Sequence, residues 1–143
     1  SSGLLEQSLD EVIRFAADNT LPNGRRVIDQ EWVQLNLARV RAGLEFLRQI
    51  NWKVASSASL DISDASTIKI FGAEFYLEAS RLLMEILGPR AYLQRNSAAE
   101  VVQGRLEMSY RSLVILTFGG GTNEIQRDLI AMFGLGLPRS LRG

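Results

Sequence analysis

Apolar residues recur every three or four positions along most of this chain, and strict alternation is nowhere sustained. Leu4, Leu5, Leu9, Val12, Ile13 and Phe15-Ala16 trace one helical face and predict an amphipathic helix from about Leu4 to Ala17. Asp18-Asn19-Thr20-Leu21-Pro22-Asn23-Gly24 is dense in turn formers and ends it. Trp32, Leu35, Val40, Leu44, Leu47 and Trp52 predict a second helix over about Asp29 to Ser56. Arg39, Arg41, Glu45 and Arg48 lie on its solvated face at pairing distance. A third helix, about Ser63 to Leu87, carries Ile68, Phe71, Phe75, Leu82 and Ile86, and Gly88-Pro89 stops it because proline cannot donate the next hydrogen bond. After a connection from Arg90 to Ala98, a fourth helix covers about Ala99 to Leu116 and a short fifth covers Thr122 to Phe133. Four amphipathic helices with short connections predict an all-α, antiparallel four-helix bundle with a short C-terminal helix.

Composition narrows the class of function. At 143 residues the chain reads as one domain, able to bury roughly two-thirds of its unfolded surface. Sixteen basic residues balance sixteen acidic ones, so no basic excess favours nucleic acid or an anionic membrane. No apolar run approaches ~18 residues, which argues against a membrane span. Cysteine and histidine are absent, which excludes a disulfide framework, a zinc site of the usual kind, a thiol nucleophile and an imidazole base, and no metal site is expected. A reducing, cytoplasmic compartment is the expected location. Ser1-Ser2-Gly3 reads as an expression scar, and the arginine bias (only Lys53 and Lys69 are lysine) points to a bacterial source.

Chemistry concentrates in Gly119-Gly120-Gly121-Thr122-Asn123-Glu124-Ile125-Gln126-Arg127. Glycines let the backbone turn and approach a ligand closely, since no Cβ intervenes. Thr122 stands where a helix N-cap belongs, Glu124 suits the first turn, and Ile125, Leu129 and Met132 follow at helical spacing. The N–H groups at such a start favour an anion, most often phosphate. A C-cap followed by an N-cap is the plainer reading of the same residues. Gln126 and Arg127 stand equally as ligand groups or as polar surface.

The whole string, closed by Leu135-Gly136-Leu137-Pro138-Arg139, resembles the C-terminal signature of the acyl-CoA dehydrogenase family. Ala65-Ser66-Thr67-Ile68-Lys69 through Glu74 is similar to the family's A-S-x-x-K-x-x-x-x-E helix, and Arg111 precedes Thr122 by the family's spacing. The resemblance covers residues 1–143 as the family's C-terminal helical domain, without the N-terminal helical and middle β domains. It implies oxidation of an acyl-CoA thioester to the 2,3-enoyl-CoA with FAD, in fatty-acid or sterol-side-chain breakdown, within an oligomer of dehydrogenase subunits. It also implies substrate contact at Gly120 and Gly121, and FAD contact at Thr122, Asn123, Glu124 and, toward a neighbouring subunit, Gly88.

Departures from the pattern matter as much. Gly120 stands where one branch of the family places its catalytic glutamate, and glycine has no group to titrate. No catalytic side chain is therefore assigned; the Gly120 N–H is left to polarise the thioester carbonyl. Another branch places the base on the first helix of this domain, upstream of the residues here. Thr20, Glu31 and Glu85 replace the arginine and glutamines that would support a neighbour's FAD, and carboxylates repel a pyrophosphate. Arg25 or Arg26 is the candidate replacement charge. These departures favour the alternative of a non-catalytic structural subunit in a mixed oligomer; a helical interaction module without flavin history is the remaining reading. Lys69 and Glu74 read as a salt bridge on one helix face or as an inter-subunit contact. Trp32 and Trp52 read as core or interface anchors rather than ligand-stacking groups. Far-ultraviolet circular dichroism of the purified chain is expected to show helical minima, and a strand-rich spectrum would overturn the fold.

Overall fold

The computed structural model describes residues 2–59, 61–93, 96–97 and 102–139. Five α-helices carry them: α1 (Ser2–Asp18), α2 (Glu31–Ala55), α3 (Ile62–Leu87), α4 (Arg105–Leu113) and α5 (Asn123–Leu129). The predicted all-α bundle is what forms. Between α1 and α2, Thr20 and Arg26 make an isolated antiparallel bridge, and Val27–Asp29 forms a 3-10 turn into α2. Asp61 caps α3, its carboxylate accepting from the Ser63 N–H at 3.0 Å.

The fourth helix is shorter than its periodicity predicts. Its expected start, Ala99 to Val101, lies outside the described residues. The α-helical part begins after Gly104, whose φ of 59° is left-handed, and ends at Leu113. Val114–Thr117 then winds as a tighter 3-10 turn, where the apolar run Val114-Ile115-Leu116 continues while the α hydrogen-bond pattern does not. At the far end, α5 runs into a π-helical turn, Ile130–Gly134. Among the described residues no helix is long and apolar enough to cross a membrane, and no cluster of His, Cys, Asp or Glu is arranged to hold a metal ion.

The bundle is organised around α3, which packs against α1, α2, α4 and α5. Leu9 and Val12 of α1, Val33, Val40 and Leu44 of α2, and Leu83 of α3 are buried in one core. Burying each such side chain contributes about 1.5–3 kcal/mol. The two tryptophans are not in it. Trp32 is 47% exposed and Trp52 70%, so the core half of the expectation for them does not hold.

Where α2 crosses α3 the approach is set by a glycine. Phe46, Phe71 and Phe75 form an aromatic row, edge-on at 4.7 Å between ring centres and then stacked at 5.5 Å. A Cβ built on Gly43 would fall 2.1 Å from the Phe75 ring. Gly43→Ala sets two effects against each other. Alanine gains about 1 kcal/mol of helix propensity, while forcing a packed ring aside costs about 1–3 kcal/mol. Phe75 is held by its stack on Phe71, so the steric effect should win. The urea unfolding midpoint of Gly43→Ala is expected to fall; a raised midpoint would mean the ring swings freely.

Candidate functional site

The glycine turn joins the end of the α4 segment to the start of α5. It opens where the Phe118 and Gly119 N–H groups both donate to the Ile115 carbonyl, at 3.2 and 2.6 Å. Gly120 and Gly121 then take φ values of 73° and 97°, a left-handed pair that side-chain-bearing residues rarely adopt. An added Cβ at Gly120 would meet nothing within 4 Å, so the surface there is open to an approaching molecule.

Thr122 is the N-cap, as its position predicts. Its Oγ1 accepts from the Ile125 N–H at 3.3 Å. The Glu124 carboxylate folds back over the same helix start. Its own backbone N–H, then the Thr122 hydroxyl, hold its pKa below the usual carboxylate range. Gln126 Nε2 donates to the Gly120 carbonyl at 3.0 Å, which ties the turn to α5.

Behind the turn lies a polar network that periodicity does not reveal. Asn123 is buried, its side chain directed inward rather than to the surface. Its Oδ1 accepts from Lys69 Nζ at 2.6 Å and its Nδ2 donates to Glu74 Oε1 at 3.2 Å. Lys69 also donates to the Gly121 carbonyl at 2.8 Å, and Arg127 Nη2 donates to Glu74 Oε1 at 2.6 Å. The expected Lys69–Glu74 salt bridge on one helix face is thus absent. Five positions along an α-helix turn through about 500°, which puts the two side chains on different faces. Asn123 joins them instead, and Arg127 takes the ion pair with Glu74. Arg111 pairs with Glu107 on its own helix.

The other predicted cofactor contact is elsewhere. Gly88 lies nineteen residues beyond Lys69 on the line of α3, about 28 Å at 1.5 Å per residue. It borders a cleft of about 460 Å³ together with Thr20, Trp32, Glu85 and Arg90. The departures at Thr20 and Glu85 therefore converge on one surface with Gly88. Glu85 accepts from Asn36 Nδ2 at 3.0 Å and from Arg81, so its charge is committed within the fold. Glu31 opens α2 beside Trp32. Arg26 forks onto the Asp29 carboxylate at 2.8 and 3.0 Å, and Arg25 donates to the Asp29 carbonyl at 3.2 Å, so both guanidinium groups are drawn toward Asp29.

Residues 1–135 match the family model described as acyl-CoA dehydrogenase, C-terminal domain. Acyl-CoA dehydrogenase FadE26 of Mycobacterium tuberculosis is 52% identical over 140 residues, 94% of this chain and 35% of the relative. FadE29 of the same organism is 38% identical over 118 residues, 82% of this chain and 30% of its own length. Among solved structures, the ChsE4-ChsE5 complex from Mycobacterium tuberculosis superposes with a TM-score of 0.94 at 51% identity, over 99% of this chain and 36% of that one. The Tcur3481-Tcur3483 steroid ACAD gives 0.88 at 36% identity, over 97% and 35%. The chain spans about one third of the length of the relatives it matches.

The Glu124 arrangement makes a prediction about acid. A carboxylate whose folded pKa is depressed adds stability above its unfolded value, 4.5, and that stability is lost as pH falls through the lower folded value. Glu124→Gln should lower stability near neutrality and leave it unchanged at strongly acid pH. Urea midpoints measured from pH 7 down to pH 2 check this, and a difference that does not close in acid would contradict it.

Proposed function

The chain belongs to the acyl-CoA dehydrogenase family, as its C-terminal domain, and from that premise we propose that it forms part of an FAD-dependent enzyme converting an acyl-CoA thioester to the 2,3-enoyl-CoA. Residues 1–143 are then the C-terminal helical domain of a longer, cytoplasmic protein, inactive when isolated. The observation that carries this reading is the open left-handed turn at Gly120-Gly121 leading into a Thr122-capped helix, with the family's residues in place. The backbone fits an anionic cofactor at this end: the outward N–H groups of the glycine turn and of Thr122 would hold FAD, while the Thr122 hydroxyl is engaged by Ile125 and Glu124. Asn123 contributes through its backbone, because its side chain is spent on Lys69 and Glu74. Bound FAD supplies the oxidant that takes up the substrate's hydride.

Gly120 and Gly121 are assigned to the thioester, with the Gly120 N–H polarising its carbonyl so that the α-proton becomes acidic. Gly120 itself cannot remove that proton, and we assign the base to a residue outside this chain. The substrate is a fatty or sterol-side-chain thioester. Similarity to the Tcur3481-Tcur3483 steroid ACAD supports the sterol side of that pair.

A second reading is favoured by the cleft at the other end of α3. Glu85 and Thr20 stand there with Gly88, in place of the glutamine and arginine that would hold a neighbouring subunit's FAD. Arg90 is the one cation among the described residues of the lining, so that end departs from the family's donor set. This supports the alternative of a non-catalytic structural subunit in a mixed oligomer in which only some FAD sites are filled. The two-component make-up of the ChsE4-ChsE5 and Tcur3481-Tcur3483 structures points the same way.

Flavin stoichiometry separates the two. The full-length protein should be purified alone and with the product of an adjacent dehydrogenase-like gene, and FAD counted by absorbance after denaturation. Flavin held only in the mixed complex, at about one per two chains, is the expected result on the departures at Glu85 and Thr20. One flavin per chain in the protein purified alone would establish a self-sufficient enzyme.

A further inference from the structure

We propose that Lys69 is a positioning residue for the glycine turn, setting the orientation of the backbone N–H groups that face the cofactor. The proposal rests on the reading of this turn as a flavin site and adds to it a part that lies behind the ligand surface.

A lysine ammonium has three protons to place. Lys69 Nζ directs them to the Gly121 carbonyl at 2.8 Å, Asn123 Oδ1 at 2.6 Å and the Thr117 carbonyl at 3.5 Å. These acceptors come from before, within and after the turn, so one side chain of α3 gathers the whole segment. In a trans peptide the C=O and N–H point in opposite directions. With the Gly121 carbonyl drawn inward onto Lys69, the Thr122 N–H is turned outward. Gln126 does the same for the preceding peptide: it holds the Gly120 carbonyl and so orients the Gly121 N–H away from itself. Charge on the Lys69 donor also polarises the Gly121–Thr122 peptide and makes its N–H a stronger donor.

Packing does not supply this anchorage. An open groove of about 300 Å³ runs between Gly119 and Leu116 on one side and Leu47, Gly72 and Tyr76 on the other, and Lys69 lines it. Gly120 has open space around it. A left-handed glycine with open space around it would sample many conformations, and each hydrogen bond that fixes a peptide after it removes some of that freedom. Asn123 extends the hold: Lys69 fixes which way its amide faces, and the amide passes the constraint to Glu74 and Arg127.

The test uses the full-length protein with any subunit it assembles with. Lys69→Met keeps the apolar stem and removes the donors. It should speed amide hydrogen exchange at Phe118 and Gly119, whose N–H groups are bonded within the turn, and weaken FAD binding to the apoprotein, each about ten- to a hundredfold, the range expected for losing a charged hydrogen bond. Exchange at the α2–α3 core should not change. Lys69→Arg, which keeps charged donors, should recover part of both losses. Unaltered exchange at the turn in Lys69→Met overturns the proposal whether or not flavin binds. Faster exchange with undiminished FAD affinity overturns it too, because the orientation would then not matter to the ligand. Failure of the wild-type protein to take up FAD would instead refute the functional reading, and turn exchange would still decide whether Lys69 holds the segment. Should Lys69→Met not fold, Lys69→Gln, whose amide stops short of the turn, carries the same measurements.

Discussion

A partly buried ammonium must be given acceptors, because losing water without replacement costs more than one hydrogen bond returns. That requirement, at Lys69, ties the ligand-facing end of this domain to its central helix. Gly121, Asn123 and Thr117 meet it, and in doing so they fix the path of a segment with too little side chain to pack. Asn123 is suited to the central place because its amide has both a donor and an acceptor. A carboxylate there would satisfy Lys69 but face Glu74 with like charge; an aliphatic side chain would satisfy neither. The Glu74–Arg127 pair at the outer end is exposed on both sides and holds geometry more than it adds stability.

The bundle was largely legible in the chain. Regular apolar spacing in α1, α2 and α3 placed their ends within a few residues, because burying a face is what stabilises a helix of that length. Thr122 was legible as a cap from its neighbours alone. Spacing was a poorer guide at α4: the turn at Val114–Thr117 carries a consecutive apolar run, Val114-Ile115-Leu116, which has no period to tell a 3-10 turn from an α-helix. Trp32 and Trp52 carry apolar bulk at helical spacing yet face outward, so hydrophobicity marked a surface rather than a core there.

The site was legible only in its front. Glycines and a cap announce themselves in one dimension. The network behind them joins residues about fifty positions apart, and no local pattern reports that Asn123 turns inward or that Lys69 waits on α3 to receive it. The one available sign was a shared mismatch: Lys69 and Glu74 at a spacing that forbids pairing on a helix, with an amide rather than a carboxylate early in α5. At the opposite end the departures at Thr20 and Glu85 were legible one by one, and their meeting with Gly88 in a single cleft emerged only in three dimensions.

The contact of Gly43 with the Phe75 ring bears on how such a chain can change over generations. A side chain at position 43 must displace the Phe75 ring, and a smaller residue at 75 leaves a void, so each change made alone has a cost that the other can relieve. The two sites are thus coupled: what a replacement costs at one depends on what stands at the other. A lineage that keeps the phenylalanine inherits the glycine with it, and with the glycine the close crossing of α2 on α3.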